Sequence, residues 1–375
     1  MNFGFNVSDI LGSPAGIGRY TNNLVTNLLK LDKDNNYFLF SQKRLPERLR
    51  YKFLVYKNCH LIESNSPITQ LWLQSVIPYL LKKYQIDIFH SSNSTNFLGN
   101  VKRVVTVHDV ICKRYPQYFT KKTILNLQVA FSIVRKKAHH VIANSETTKN
   151  DIIKFLKIPE SKIKVIYLGV DDNFRIIENE DLLHTIGKKY ALTKKFILSI
   201  GTLEPRKNVL TILRAFYKTR AKNDYKLILV GKKGWFFKEV FRLINQLKIE
   251  NEVGYLGYID DAELPLILNS ASLFIYTPFF EGFGLPVLEA MKCGVPVITS
   301  NVSSIPEIIG DAGILVNPTD IDELAQKIDL VLENKELHES MKSRGIKQVQ
   351  RYSWEDTASK TLQLFKFVWQ SKRDQ

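Results

Sequence analysis

Short apolar runs alternate with helix-like segments along almost the whole chain, and the alternation stops and restarts once near the middle. In the first half FGFNVS (3–8), YFLFSQ (37–42), IDIFHSS (86–92), KRVVTVHD (102–109), HHVIANS (139–145) and KIKVIYLGV (162–170) read as strands. RYTNNLVTNLLK (19–30) and LWLQSVIPYLLKKY (71–84) carry apolar residues at helical spacing. Residues 171–190 turn polar, lose any strong apolar period and read as a linker. The pattern then resumes with the strands KFILSIGTL (195–203), KLILVG (226–231), NEVGYLGYI (251–259), LFIYTP (273–278), VPVITS (295–300) and GILVNP (313–318), separated by helices. Alternating strands and helices produce a parallel sheet covered on both faces. Two rounds of it predict an α/β chain of two doubly wound domains, 1–175 and 190–350. The last helix, 354–370, follows every strand and is expected to pack back on the first domain. A deep cleft between the carboxyl ends of the two sheets is the expected ligand site.

Composition narrows the function classes. A hydrophobic content of 45% and a charged content of 24% are those of a soluble globular protein. No apolar run reaches the length of a membrane span, and no basic stretch followed by an apolar one opens the chain. The expectation is a cytoplasmic protein. Cys59, Cys112 and Cys293 lie far apart, with neither metal-ligand spacing nor a disulfide framework. The net charge of +16 is uneven: residues 1–180 hold 26 Lys and Arg against 14 Asp and Glu, and the rest 27 against 23. A solvated basic face accounts for this, as does a partner that is an anionic membrane surface or a lipid diphosphate. No nucleic-acid-binding signature accompanies the charge, which places nucleic acid below the membrane.

The motifs sit at the carboxyl ends of the expected strands. FFEGFGLPVLEAMKCGVPV (279–297) puts Glu281 in a glycine turn and Glu289 on the helix that follows, with Pro286 in its first turn and Gly294 at its end. Gly282 and Gly284 permit close backbone approach, and a helix N-terminus favours an anion. Two carboxylates flanking an anion site suit a nucleotide sugar, with phosphate in the middle and hydroxyls at both ends. In GTLEPRKN (201–208), Arg206 and Lys207 are placed for a pyrophosphate. They would also stabilise a departing diphosphate without a metal. SPAGIGRYT (13–21) reads as a glycine loop entering a helix. It lacks the third glycine of a dinucleotide fingerprint, and Ser41 and Gln42 stand where that fold needs an acid. VVTVHD (104–109) sets His108 where it can hydrogen-bond a substrate hydroxyl, less convincingly as a general base. Ser145 reads as a helix cap and Asp32-Lys33-Asp34 as a polar turn rather than a metal site.

These segments resemble the retaining glycosyltransferases of family 4. EGFGLPVLE (281–289) matches the two-glutamate motif of that family. GTLEPRKN, VTVHD, AGIGRYT, ANSETTKNDI (143–152) and KVIYLGVD (164–171) resemble its other segments, over residues 1 to about 360. The resemblance implies a GT-B fold of two Rossmann-like domains facing a deep cleft, the first holding the acceptor and the second the donor. It implies that Glu281 contacts the donor hexose, that Glu289 binds the ribose, and that Arg206 and Lys207 hold the diphosphate. Backbone at Phe283, Gly284 and Leu285 would touch sugar and phosphate, His108 would place the sugar, and Gly16 and Gly18 would let the first loop approach. Gly231 and Leu256 would lie near the base.

The segments look most like bacterial mannosyltransferases of O-antigen and related surface glycans. The implied donor is GDP-mannose. The implied acceptor is a lipid-diphosphate-linked glycan at the inner face of the cytoplasmic membrane, where this chain would associate peripherally. No cofactor and no essential metal are expected. Other donors (UDP-glucose or UDP-GlcNAc, dTDP-rhamnose, GDP-fucose) share the pattern, and a nucleotide-sugar epimerase of the same fold is the alternative reaction.

Overall fold

The computed structural model describes residues 1–11, 16–66, 68–95, 98–192, 194–235 and 237–371, apart from the side chain of Gln70. The chain divides into two compact units, Met1–Gly169 with the segment from Tyr352 onward, and Val170–Arg351.

The first unit is built on seven parallel strands: β1 (Asn2–Asn6), β2 (Asn36–Ser41), β3 (Cys59–Glu63), β4 (Ile88–Ser92), β5 (Lys102–Val107), β6 (His140–Ala143) and β7 (Ile163–Val165). Their order is β3-β2-β1-β4-β5-β6-β7, so the winding reverses between β1 and β4. Phe3, Phe5, Tyr37 and Phe89 are fully buried, as strands covered on both faces require. β3 is absent from the sequence reading. Its residues CHLIE are half-exposed beyond Cys59, and it pairs only on one side, with Tyr37 opposite Cys59 and Leu39 opposite Leu61.

The helix Trp354–Gln370 belongs to this first unit. It packs on the helix Gly16–Leu31 and on β5. Phe365 lies 5.2 Å from the Phe3 ring and 5.9 Å from the Phe5 ring. Lys102 Nζ donates to the carbonyls of Val368 and Trp369, at 2.6 Å each, and so caps the helix C-terminus. A side chain at Gly169 would place its Cβ 2.2 Å from Trp354 N, so only glycine lets the two segments meet.

The second unit has six parallel strands: β8 (Phe196–Ile200), β9 (Lys226–Val230), β10 (Val253–Gly257), β11 (Leu273–Tyr276), β12 (Val297–Ser300) and β13 (Ile314–Val316). The order is β10-β9-β8-β11-β12-β13, and the winding reverses between β8 and β11. One apolar core packs the helices onto this sheet, with Ile197, Leu213, Phe216, Leu273, Ile298 and Ile328 at its centre.

The segment expected as a linker is not one. Residues 170–190 are part of the second unit, and 180–189 form the helix Glu180–Lys189. Asn179 caps it by accepting from Leu182 N at 3.1 Å. Tyr190 Oη and Lys189 Nζ bind Glu263 at 2.6 and 2.5 Å. Asn269 accepts from Ile177 N and donates to Arg175 O, at 2.8 and 2.9 Å. Lys292 Nζ holds the Val170 and Asp171 carbonyls at 3.2 Å.

Candidate functional site

In an open parallel sheet, loops leaving adjacent strands on either side of a winding reversal separate and leave a crevice at the strands' carboxyl ends. In the second unit those loops follow β8 and β11. The first carries Glu204, Arg206 and Lys207, and the second carries Glu281.

The loop after β8 is shaped by a short 3-10 turn, Pro205–Lys207, and by Asn208 in the left-handed conformation, φ 59°. Asparagine tolerates that conformation better than most residues. Its Nδ2 donates to Thr277 O at 2.9 Å and to Pro318 O at 2.6 Å, and its Oδ1 accepts from Thr211 Oγ1 at 2.7 Å. The loop after β11 is pinned in turn. Phe279 N donates to Arg206 O at 2.9 Å. Glu281 N donates to Ser303 Oγ at 2.9 Å, and Ser304 Oγ donates to Glu281 O and Phe283 O at 2.9 and 3.0 Å. Gly284 has φ 106°, and a Cβ there would meet Ile305 Cδ1 at 2.7 Å. The helix Leu285–Lys292 starts directly after it.

These loops bring four charged groups together. Arg206 Nη1 lies 2.5 Å from Glu281 Oε1, and Lys207 Nζ is 2.5 Å from the same oxygen. Arg206 Nε and Nη2 donate to Glu204 Oε1 at 3.0 and 2.6 Å. Lys207 Nζ also donates to Tyr276 Oη at 2.6 Å. Burial by itself would raise the Glu281 pKa, but the Arg206 and Lys207 charges overcome it and hold the carboxyl at about 2. Burial and the neighbouring Arg206 charge lower Lys207, against the pull of Glu281. Burial, reinforced by the Glu281 charge, keeps the Tyr276 phenol protonated. The arrangement can present two cations to an anion and a carboxylate acceptor to hydroxyls. Glu204, Tyr276, Ser303 and Ser304 were not anticipated. Only Glu204 had a sequence signal, as the acid two residues before Arg206.

The other residues expected at a donor site lie on neighbouring elements of the second unit. Glu289 lies on the helix Leu285–Lys292 and is 2% exposed. Phe283 is buried and Leu285 half-buried. Gly231 follows β9 and Leu256 lies in β10 at a register shift, and between the two strand ends Gly231 N donates to Gly257 O at 2.7 Å and Tyr255 Oη to Gly231 O at 2.8 Å.

In the first unit His108 directly follows β5. Its ring stands edge-on to Tyr20 at 4.7 Å, and burial lowers its pKa to about 4, so it is neutral at physiological pH. Among the described residues its Nε2 is buried without a partner, as are Thr21 Oγ1, Ser92 Oγ and Asn144 Oδ1. Ser92, His108 and Asn144 stand at the carboxyl ends of three adjacent strands, β4, β5 and β6. Ser145 is the expected cap, accepting from Thr148 N at 2.9 Å. Gly16 and Gly18 are not in a loop: they form the first turn of the helix Gly16–Leu31. Gly18 packs on Asp9, where a Cβ would stand 2.8 Å from the carbonyl oxygen, whereas Gly16 faces open space. Ser13, Pro14 and Ala15 of that motif lie outside the described residues. Asp32 accepts from Tyr37 Oη and Asn35 Nδ2 at 2.6 and 2.8 Å and serves the turn. Among the described residues no group of three or more His, Cys, Asp or Glu could hold a metal ion.

Comparison with known proteins agrees with this architecture. The crystal structure of Anabaena HepE in complex with UDP and glucose superposes with a TM-score of 0.75 over 97% of this chain and 99% of that one, at 20% identity. The fold is therefore that of the GT-B glycosyltransferases. Residues 185–348 match the family model for glycosyl transferases group 1, and residues 14–174 match that for Glycosyltransferase Family 4. O-antigen chain mannosyltransferase B of Escherichia coli is 32% identical over 294 residues, 77% of each chain. The serotype-specific mannosyltransferase WbdA of Escherichia coli is 27% identical over 64% of this chain and 30% of its own length. The chain belongs to the glycosyltransferases of group 1 and family 4.

Proposed function

We propose that this glycosyltransferase is a retaining enzyme that moves mannose from GDP-mannose onto a lipid-diphosphate-linked glycan in the synthesis of an O-antigen or related surface polysaccharide. The observation that carries the reading is the meeting of Arg206, Lys207 and Glu281 over the winding reversal of the second sheet. Similarity to O-antigen chain mannosyltransferase B supports the choice of mannose.

In this reading Arg206 and Lys207 take the diphosphate. Glu281, kept ionised, accepts from hexose hydroxyls near the anomeric carbon. Glu289 serves the ribose. Backbone at Phe283, Gly284 and Leu285 approaches sugar and phosphate, and Gly231 and Leu256 border the base. Neutral His108 donates to or accepts from a sugar hydroxyl rather than acting as a base. Gly18, and Gly16 before it, keep the first helix close to the ligand. The anomeric C–O bond to the diphosphate breaks as the acceptor oxygen bonds to the same face. The acceptor proton passes to the departing diphosphate oxygen. The two cations stabilise the charge that develops there, so no metal is needed. The first unit holds the acceptor, and the enzyme works at the inner face of the cytoplasmic membrane.

A thermal-shift panel with GDP, UDP, dTDP and ADP, each with and without EDTA, tests this. A ligand that binds the folded state raises the melting temperature by mass action. The expected result is a shift with GDP alone, unchanged by EDTA, followed by transfer from GDP-mannose. A shift with UDP or dTDP instead would overturn the sugar, dependence on a divalent cation would overturn the metal-free mechanism, and no shift at all would overturn the donor site.

A further inference from the structure

We infer that the helix Lys121–Lys137 is the surface by which this protein docks on an anionic lipid bilayer. The inference deepens the lipid-linked-acceptor reading above and rests on it. Between residues 110 and 145 the chain has seven Lys and Arg and no Asp or Glu. Within this stretch the helix KKTILNLQVAFSIVRKK buries only Phe131 and Val134. Leu125 is 62% exposed and Val129 51% exposed. At roughly 100° per residue, Lys121, Lys122, Leu125, Val129 and Lys136 fall on one outward stripe. An apolar centre is thus flanked by cations at both ends.

The helix's own stability accounts for the cations of its last turn, Arg135, Lys136 and Lys137, but not for those of its first. Lys121 and Lys122 occupy the first turn, where the macrodipole opposes positive charge. Among the described residues, no acid lies within ion-pair distance of Lys121, Lys122, Arg135 or Lys136, whereas Arg114 of the preceding turn is committed to Asp151 at 3.0 Å. Two exposed branched aliphatics at one-turn spacing have nothing to do on a phosphate backbone, and no aromatic side chain stands among them to stack on bases. On a bilayer every part has a role. Leu125 and Val129 enter the boundary between headgroups and acyl chains. The lysine stems lie along the apolar surface, and their ammonium groups reach the anionic headgroups.

The test is co-sedimentation of the full chain with vesicles of phosphatidylglycerol and phosphatidylcholine, and with vesicles of phosphatidylcholine alone. Wild-type protein is expected to bind the mixed vesicles at low salt, to release as salt rises, and to ignore the neutral ones. Leu125→Ser with Val129→Ser, and separately Lys121→Glu with Lys122→Glu, should each weaken binding about tenfold or more. All four positions are exposed, so both variants should keep the circular dichroism and the nucleotide thermal shift of wild type. Wild-type protein that does not bind the mixed vesicles at low salt, variants that bind them as well as wild type, or a helix whose variants lose binding to single-stranded RNA but not to vesicles would each overturn the inference. A wild type that binds vesicles as described but shows no nucleotide shift would leave the docking surface standing and defeat the donor-site reading alone.

Discussion

Replacing Glu281 by glutamine removes one charge from the cluster and preserves its shape. Its carboxyl is held at about 2 against an ordinary 4.5. That difference corresponds to about 3 kcal/mol of net attraction between the ionised group and its surroundings. A depressed folded-state value stabilises fully above 4.5, and the stabilisation is lost as pH falls toward about 2. In the Glu281→Gln variant Arg206 keeps Glu204, while Lys207 keeps only the Tyr276 hydroxyl of its partners described here and stays largely buried. Stranding a buried ammonium is costly, so the second unit should lose about 2–4 kcal/mol at neutral pH. For a unit of about 180 residues this lowers its calorimetric transition by roughly 5–15 °C. The gap between wild type and variant should close as the pH is taken from 4.5 to 2. Glu281→Gln combined with Lys207→Met, which removes both charges, should recover part of the loss. A transition that moves by less than about 1 °C at neutral pH, or a gap indifferent to acid, would refute the assignment of a tightly coupled cluster.

The first unit should be acid-sensitive in a different window. Burial lowers His90 to about 3 and His108 to about 4, so the unfolded chain binds protons at 6.5 that the folded one refuses, and stability falls as pH drops from 6.5 toward 4; urea midpoints equal at pH 7.5 and pH 5 would contradict this. Gly231→Ala should destabilise the second unit by roughly 2 kcal/mol or more, because φ is 140° and a Cβ would stand 2.1 Å from Gly201 O; a melting temperature like that of wild type would show that the β8 and β9 loops can part without cost.

Both sheets were legible because their strands are continuous apolar runs, as strands covered on two faces must be. β3 was not, because an edge strand with one covered face carries polar residues such as His60 and Glu63. The helix Glu180–Lys189 was misread as linker for a related reason. It buries only Ile186, and hydrogen bonds to Glu263 and Asn269, more than 70 residues away, dock its segment. Arg206, Lys207 and Glu281 could be picked out because charged residues beside glycine turns at strand ends have few structural uses. Tyr276, Ser303 and Ser304 could not. An apolar strand and a Ser-Ser pair carry no mark of what they will touch until β11 and β12 lie side by side.

The two sheet edges bring different side chains together. In the second unit the carbonyls beyond the strand ends are taken up by side chains: Thr277 and Pro318 by Asn208, Glu281 and Phe283 by Ser304, Tyr276 by Thr299, Gly231 by Tyr255. These bonds continue the work of the sheet ladder past its last residue, and they fix the loops that set two cations against two carboxylates. Charges that close must be held rigidly, since a small displacement would strand one of them without its counterion. In the first unit His108 is uncharged, and among the described residues the buried polar atoms of Thr21, Ser92, His108 and Asn144 have no hydrogen-bond partner, as holds also for the hydroxyls of Thr277 and Ser300 in the second unit. Neutral donors and acceptors left open in this way match hydroxyl groups, which donate and accept with equal ease, and offer little to a phosphate. In the proposed function, Arg206 and Lys207 would take the anionic donor and neutral His108 would meet a sugar hydroxyl.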